Sequence, residues 1–350
     1  MSEQQPEIAN LKPAYCELKA GQTCLWCACG RSATPPFCDG NSHVPTGIRP
    51  IRYRARTDEE VLFCECKQTA TPPFCDGTHS NLKGGYTDAV EHTVGEPPAF
   101  VQPDAQGFAH LDGECYVVSP RLVPPSHATD RFRIRDLVTT GLGATHQSQF
   151  LIELDEGTSP ALQADGDVVV WIASGPGTAT VDGASIDLPQ AGGLHILAGE
   201  TFAFTGRNIV AYISVCPAVG QLRIVTDGPT QAADAGGERL GLIDEAARVA
   251  MGPRYFQVLM DDAQGLANSA QFIGHIPRSK AEMHRHLYEE ALIIVSGEGT
   301  IWNQTRRARV GAGDVIFFPR KVLHSLECTC AEGMDVVGFI HPGTNPGINY

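Results

Sequence analysis

His284-Arg285-His286-Leu287-Tyr288-Glu289-Glu290-Ala291-Leu292-Ile293-Ile294-Val295-Ser296-Gly297 reads as a β-strand entered through two histidines. Residues two apart on an extended chain share a face, so His284 and His286 can converge on one ion, with Glu290 and the later His324 closing the site. Around this stretch run short Val/Ile/Phe-rich segments such as Val168–Ala173 and Val315–Phe318, separated by Gly, Pro and Asp turns. That texture predicts an all-β barrel or sandwich rather than helices. Only Leu242–Met251 has the spacing of a short helix.

The same stretch has an earlier counterpart. Gln149-Phe150 laid over Gln271-Phe272 brings Gly175 over Gly297 at one offset of 122 positions. Ala191-Gly192 then overlays Ala312-Gly313 with a one-residue slip. Two tandem barrels are expected. Under His284, His286, Glu290 and His324 this alignment places Leu162, Ala164, Val168 and Ala203, a set without a metal donor.

Residues 270–342 resemble the cupin superfamily. The first motif of that family, H-x-H-x3-E-x6-G, stands as His284, His286, Glu290 and Gly297. The second stands as Gly313, Pro319 and His324, with Lys321 and Cys328 where Gly and Asn are usual. Glu289 is at the wrong spacing for a ligand. The resemblance implies a double-stranded β-helix (jelly-roll) barrel. Three imidazoles and a carboxylate leave two positions open on a six-coordinate ion, which suits Fe(II) first, with Mn, Ni or Zn as alternatives.

Nearer the start, ATPPFCDG occurs at Ala33–Gly40 and again at Ala70–Gly77. The first copy carries Cys27, Cys29, Cys38 and His43; the second carries Cys64, Cys66, Cys75 and His79. Three thiols and one imidazole per copy suit iron and sulfide, and exchanging a thiolate for a neutral imidazole raises the reduction potential. A zinc ribbon would show C-x-x-C knuckles instead. Each copy resembles the CDGSH iron-sulfur domain, which implies two [2Fe-2S] clusters held by these eight residues. The first copy departs from the motif, because His43 follows Cys38 by five positions and His79 follows Cys75 by four.

The expected fold class is therefore mainly β, tandem CDGSH modules followed by two cupin barrels. The expected division is a lead at 1–19, the tandem CDGSH domain at 20–88, a linker at 89–120, a barrel without metal at 121–222, a linker with a short helix at 223–250 and the metal-binding barrel at 251–350. The formal net charge of -14 argues against a nucleic-acid partner. No apolar run suits a membrane span or a secretory signal, so a cytoplasmic address is expected. The twelve cysteines then read as ligands and buried thiols, not as a disulfide framework.

A one-electron carrier joined to an open mononuclear site predicts an oxygenase or dioxygenase acting on a small organic molecule and O2, served by an electron donor, with a homodimer as the expected assembly. The alternatives are a redox- or iron-sensing bicupin and a non-redox cupin isomerase or lyase with structural clusters. Catalytic residues beyond the metal centre are not assigned. Arg285, Tyr288, Trp302 and Arg320 are candidate cavity residues, and His92, His110, His127, His146, His195, His275 and His341 read as ordinary surface or core histidines.

Overall fold

The computed structural model describes residues 5–86, 97–216, 221–226, 239–266 and 268–350. Among these the regular structure is strand and short 3-10 turn, and no helix is long and apolar enough to cross a membrane.

The two N-terminal copies exchange strands. Ala14–Leu18, ahead of the first Cys-x-Cys, pairs with Glu59–Phe63, which leads into the second. Ile51–Arg54 returns the exchange by pairing with Thr23–Trp26. Neither copy closes its sheet alone. Phe63 is fully buried at the centre, with Phe37 and Phe74 packed on it at ring distances of 5.6 and 5.7 Å.

The two barrels follow the predicted duplication. Gly175 and Gly297 each turn the chain at positive φ (96° and 84°), and a Cβ there would lie 2.5 Å from the carbonyl oxygen of Asn208 or Gly333. Only glycine fits that approach. Alternate residues of the first barrel fill its interior with Leu162, Ala164, Val168 and Phe202, all at most 1% exposed. The opposite faces of both barrels meet in a shared core, where Leu151, Trp171 and Tyr212 pack with Ile273, Ile293 and Phe317.

Three expectations change. The one-residue slip does not occur: Leu162 pairs with Phe202 as His284 pairs with His324, so the residue under His324 is Phe202 and not Ala203. The short helix at Leu242–Met251 is absent. Asp244 accepts from the Ala246 N–H to cap a single 3-10 turn, Glu245–Ala247, and Val249–Met251 is a strand on Arg254–Met260. Pairing into the sheet overrides the helical spacing, and Gly252 at φ 60° closes the hairpin.

The stretches expected as linkers also carry strands. Phe108–His110 and Tyr116–Val118 extend the sheet of the second barrel, the latter on Val315–Phe318, and Ala99–Phe100 lies parallel to Arg306–Gly311. In the same way Arg223–Val225 and Leu240–Gly241 pair within the first barrel. The boundaries at 88/89 and the start of the first linker lie outside the described residues, as does His92.

Candidate metal centre and iron-sulfur sites

The second barrel gathers His284, His286, Glu290 and His324 in the wall of a cavity of about 150 Å³. Paired backbones fix two of them: the His284 N–H donates to the His324 carbonyl at 2.9 Å and His324 returns the bond at 3.0 Å. The imidazoles of His284 and His286 lie with ring centres 4.5 and 4.8 Å from that of His324. Glu290 enters from the strand Glu289–Ser296, opposite Phe318 of its neighbour.

Each imidazole is locked by its own backbone. Nδ1 of His284, His286 and His324 lies 2.8, 2.8 and 2.9 Å from the carbonyl oxygens of Glu282, Tyr288 and Val322. A carbonyl can only accept, so Nδ1 carries the proton and Nε2 is left with a lone pair. His286 Nε2 then lies 3.2 Å from Glu290 Oε2, so two buried acceptors face each other with no donor between them. A cation would satisfy both, and the donor set therefore fits a metal ion. Among the described residues no three such side chains meet the spacing of a closed metal site.

Burial drives the His284 imidazole down to about 4, helped by the cations Arg254 and Lys12, and it drives His324 the same way. The unfolded chain takes up that proton first, from about pH 6.5 downward. The metal-free protein is accordingly expected to lose stability as pH falls below about 6.5, by about 3 kcal/mol from His284, with the loss levelling near pH 4 where the folded imidazole protonates too. Urea midpoints in chelator at pH 7, 5.5 and 4 check this; a flat profile contradicts it.

The N-terminal sets form pairs. Sγ of Cys27 and Cys29 lie 3.6 Å apart and those of Cys64 and Cys66 3.4 Å apart; Cys38 Sγ lies 3.4 Å from His43 Nδ1 and Cys75 Sγ 3.3 Å from His79 Nδ1. Two donors on each side is the division a two-iron cluster needs. Asp39 absorbs the extra residue of the first copy: its Oδ1 accepts from the Asn41 and Ser42 N–H groups, where Asp76 Oδ1 takes only that of Thr78. His43 thus reaches its thiol as His79 does. Cys64 is pulled down chiefly by the hydrogen bond from Cys66, whose own thiol that bond and burial push up.

The structure brings the second set against the barrel. His79 and Ser80 line the same cavity as His284, His286, Glu290 and His324. Glu60 joins the two parts through Arg320 at 2.9 Å and through Lys321. Residues 345–350 fill the seam: Asn345 Nδ2 donates to the Asp76 carbonyl, Tyr288 Oη to that of Pro346, and Tyr350 stacks on Tyr15.

Of the four candidate cavity residues, only Tyr288 lines the cavity, its ring 4.0 Å from that of His286 and nearly parallel. Trp302 donates instead to Glu327, and Arg320 to the Leu287 carbonyl. Lys12, Tyr86, Arg254 and Tyr350 line it as well and carry no motif. Of the other described histidines, His275 also lines this cavity, with Nδ1 against Asp335, and His195 lies against the Gln264 carbonyl.

The Cupin domain family profile matches residues 275–337. The mouse mitochondrial CDGSH iron-sulfur domain-containing protein 3 is 45% identical over 53 residues, 15% of this chain and 39% of that protein. This chain joins CDGSH iron-sulfur motifs to a cupin fold. The human CDGSH protein is 47% identical over 50 residues, 14% of this chain, and again only 39% of its length is spanned. Among solved structures, the fold resembles procruciferin, an 11S globulin of Brassica napus (TM-score 0.52, 10% identity, 63% of this chain and 84% of that one). It also resembles Lactobacillus farciminis oxalate decarboxylase in its formate complex (0.52, 13%, 65% and 86%). At these identities the likeness covers the bicupin architecture alone.

Proposed function

We propose that the chain is an iron-dependent oxygenase or dioxygenase acting on a small organic molecule, with the CDGSH clusters delivering or restoring electrons at the cupin metal. One observation carries this reading: His79, a ligand in the second cluster set, lines the cavity that holds the four cupin donors. When bound, the clusters would supply single electrons, and the iron held by His284, His286, Glu290 and His324 would supply O2 activation and a template for the reactants.

The protein's own groups prepare that chemistry. Backbone carbonyls hold each imidazole with Nε2 available, and Tyr288 and Phe318 shield the rings of His286 and His324. Arg254, buried in the cavity wall and held by a hydrogen bond to the Leu326 carbonyl, is the cation that would attract an acidic substrate group. The volume of about 150 Å³ favours a substrate of few heavy atoms, and the accompanying expectations are an electron donor and a homodimer.

The test is O2 uptake by anaerobically purified, iron-loaded protein with a reductant, across small hydroxy acids, phenols and thiols. Substrate-dependent uptake is expected. No uptake with any of them, or activity kept under strict anoxia with zinc in the barrel, would overturn the oxygenase reading.

A further inference from the structure

We infer that Lys67 is a positioning residue that sets a fixed positive charge between the two cluster sites and raises the reduction potential of both. The inference rests on the reading that the two Cys3His sets hold [2Fe-2S] clusters.

The turn after each Cys-x-Cys needs a left-handed backbone. In the first copy it is occupied by Gly30 at φ 79°, where a Cβ would lie 1.8 Å from the Glu7 carbonyl oxygen. In the second copy the same place holds Lys67 at φ 62°. A side chain there is strained, and local structure alone favours glycine. Strain kept at one copy points to a use for its side chain.

That side chain is buried, 7% exposed, and leads inward. Its Nζ donates to the Cys64 carbonyl at 2.9 Å and lies 4.6 Å from the centre of the Trp26 ring. Trp26 Nε1 donates to that same carbonyl at 2.8 Å, and Trp26 directly precedes Cys27. Two donors, one from each copy, thus meet on one oxygen beside a ligand of the second set and next to a ligand of the first. Cys66, another ligand of the second set, directly precedes Lys67, and buried Glu65 is the acidic residue beside it in the chain.

Reduction adds one electron to a cluster and changes no bond of Lys67. A buried cation attracts that added charge through a medium of low dielectric, so it favours the reduced form. Because the ammonium faces both copies, its removal should act on both.

The test is a redox titration of the purified holoprotein followed by visible absorption and EPR, for the wild type, Lys67→Gln, Lys67→Gly and Lys67→Arg. Lys67→Gln and Lys67→Gly are expected to lower the equilibrium constant for reduction of each cluster at least tenfold, about 59 mV for a one-electron couple. Lys67→Arg keeps the charge and should stay within threefold of wild type. Lys67→Gly also relieves the backbone, so its thermal midpoint should not fall; a purely structural lysine would give the reverse, a lower midpoint with unchanged potentials. Unchanged potentials in charge-removed variants with full clusters, or a shift confined to one cluster, would overturn the inference. A wild-type chain without iron and acid-labile sulfide would overturn the cluster reading itself.

Discussion

His286→Ala is expected to remove the mononuclear ion and to cut substrate-dependent O2 uptake by more than the 10- to 100-fold that follows loss of an outer-shell partner, on the order of ~1,000-fold. Its imidazole is 2% exposed, faces Glu290 at 3.2 Å and packs against the rings of Tyr288 and His324, and alanine offers the ion no donor atom in its place. The cluster sites belong to other strands and keep their ligands. Iron should therefore drop from about five to about four per chain, with the visible spectrum of the clusters preserved. Metal analysis beside absorption spectra reads this directly. An unchanged iron count, or uptake at wild-type rate, would remove the assigned centre.

Glu289→Ala is expected to be the costliest single change to stability, about 4 kcal/mol. Its carboxylate is 1% exposed and accepts four hydrogen bonds, from the N–H groups of Thr145, His146 and Gln147 and from the Thr145 hydroxyl, all between 2.7 and 3.1 Å. Alanine would strand those donors in the seam between barrels. The residues tied down lead into Ser148–Thr158 of the first barrel, so Glu289 anchors that barrel to the strand bearing Glu290. Glu289→Gln keeps shape and an acceptor oxygen and should cost roughly half as much. Urea unfolding of metal-free protein measures both; a loss below about 1 kcal/mol for alanine would show the bonds to be replaceable.

Glu289 also shows what could be read in advance and what could not. Its spacing excluded it from the ligand set, and alternation along the strand turns Glu289 outward as it turns Glu290 inward. The thiol and imidazole sets were legible because their ligands lie within a few positions of one another, and the barrel duplication because a single offset runs through both. The slip that put Ala203 under His324 came from matching Ala191-Gly192 to Ala312-Gly313 by identity; strand pairing keeps the offset and puts Phe202 there. Nothing local marks Lys12, Arg254 or Tyr350 as neighbours of His79, since distant segments meet only after docking. Likewise the apolar spacing of Leu242–Met251 fits a helix until Arg254–Met260 is present to pair with it.

The strand Tyr116–Val118 precedes the first barrel in the chain yet completes the second, with Cys115 and Tyr116 fully enclosed there. The second barrel is therefore not severable at its apparent beginning. A fragment starting near residue 251 would leave Val315–Phe318 with an unguarded flank of backbone donors and acceptors, a template for fibre-like self-association. Circular permutants that retain residues 99–118 beside 251–350 would be the sound route to that half in isolation.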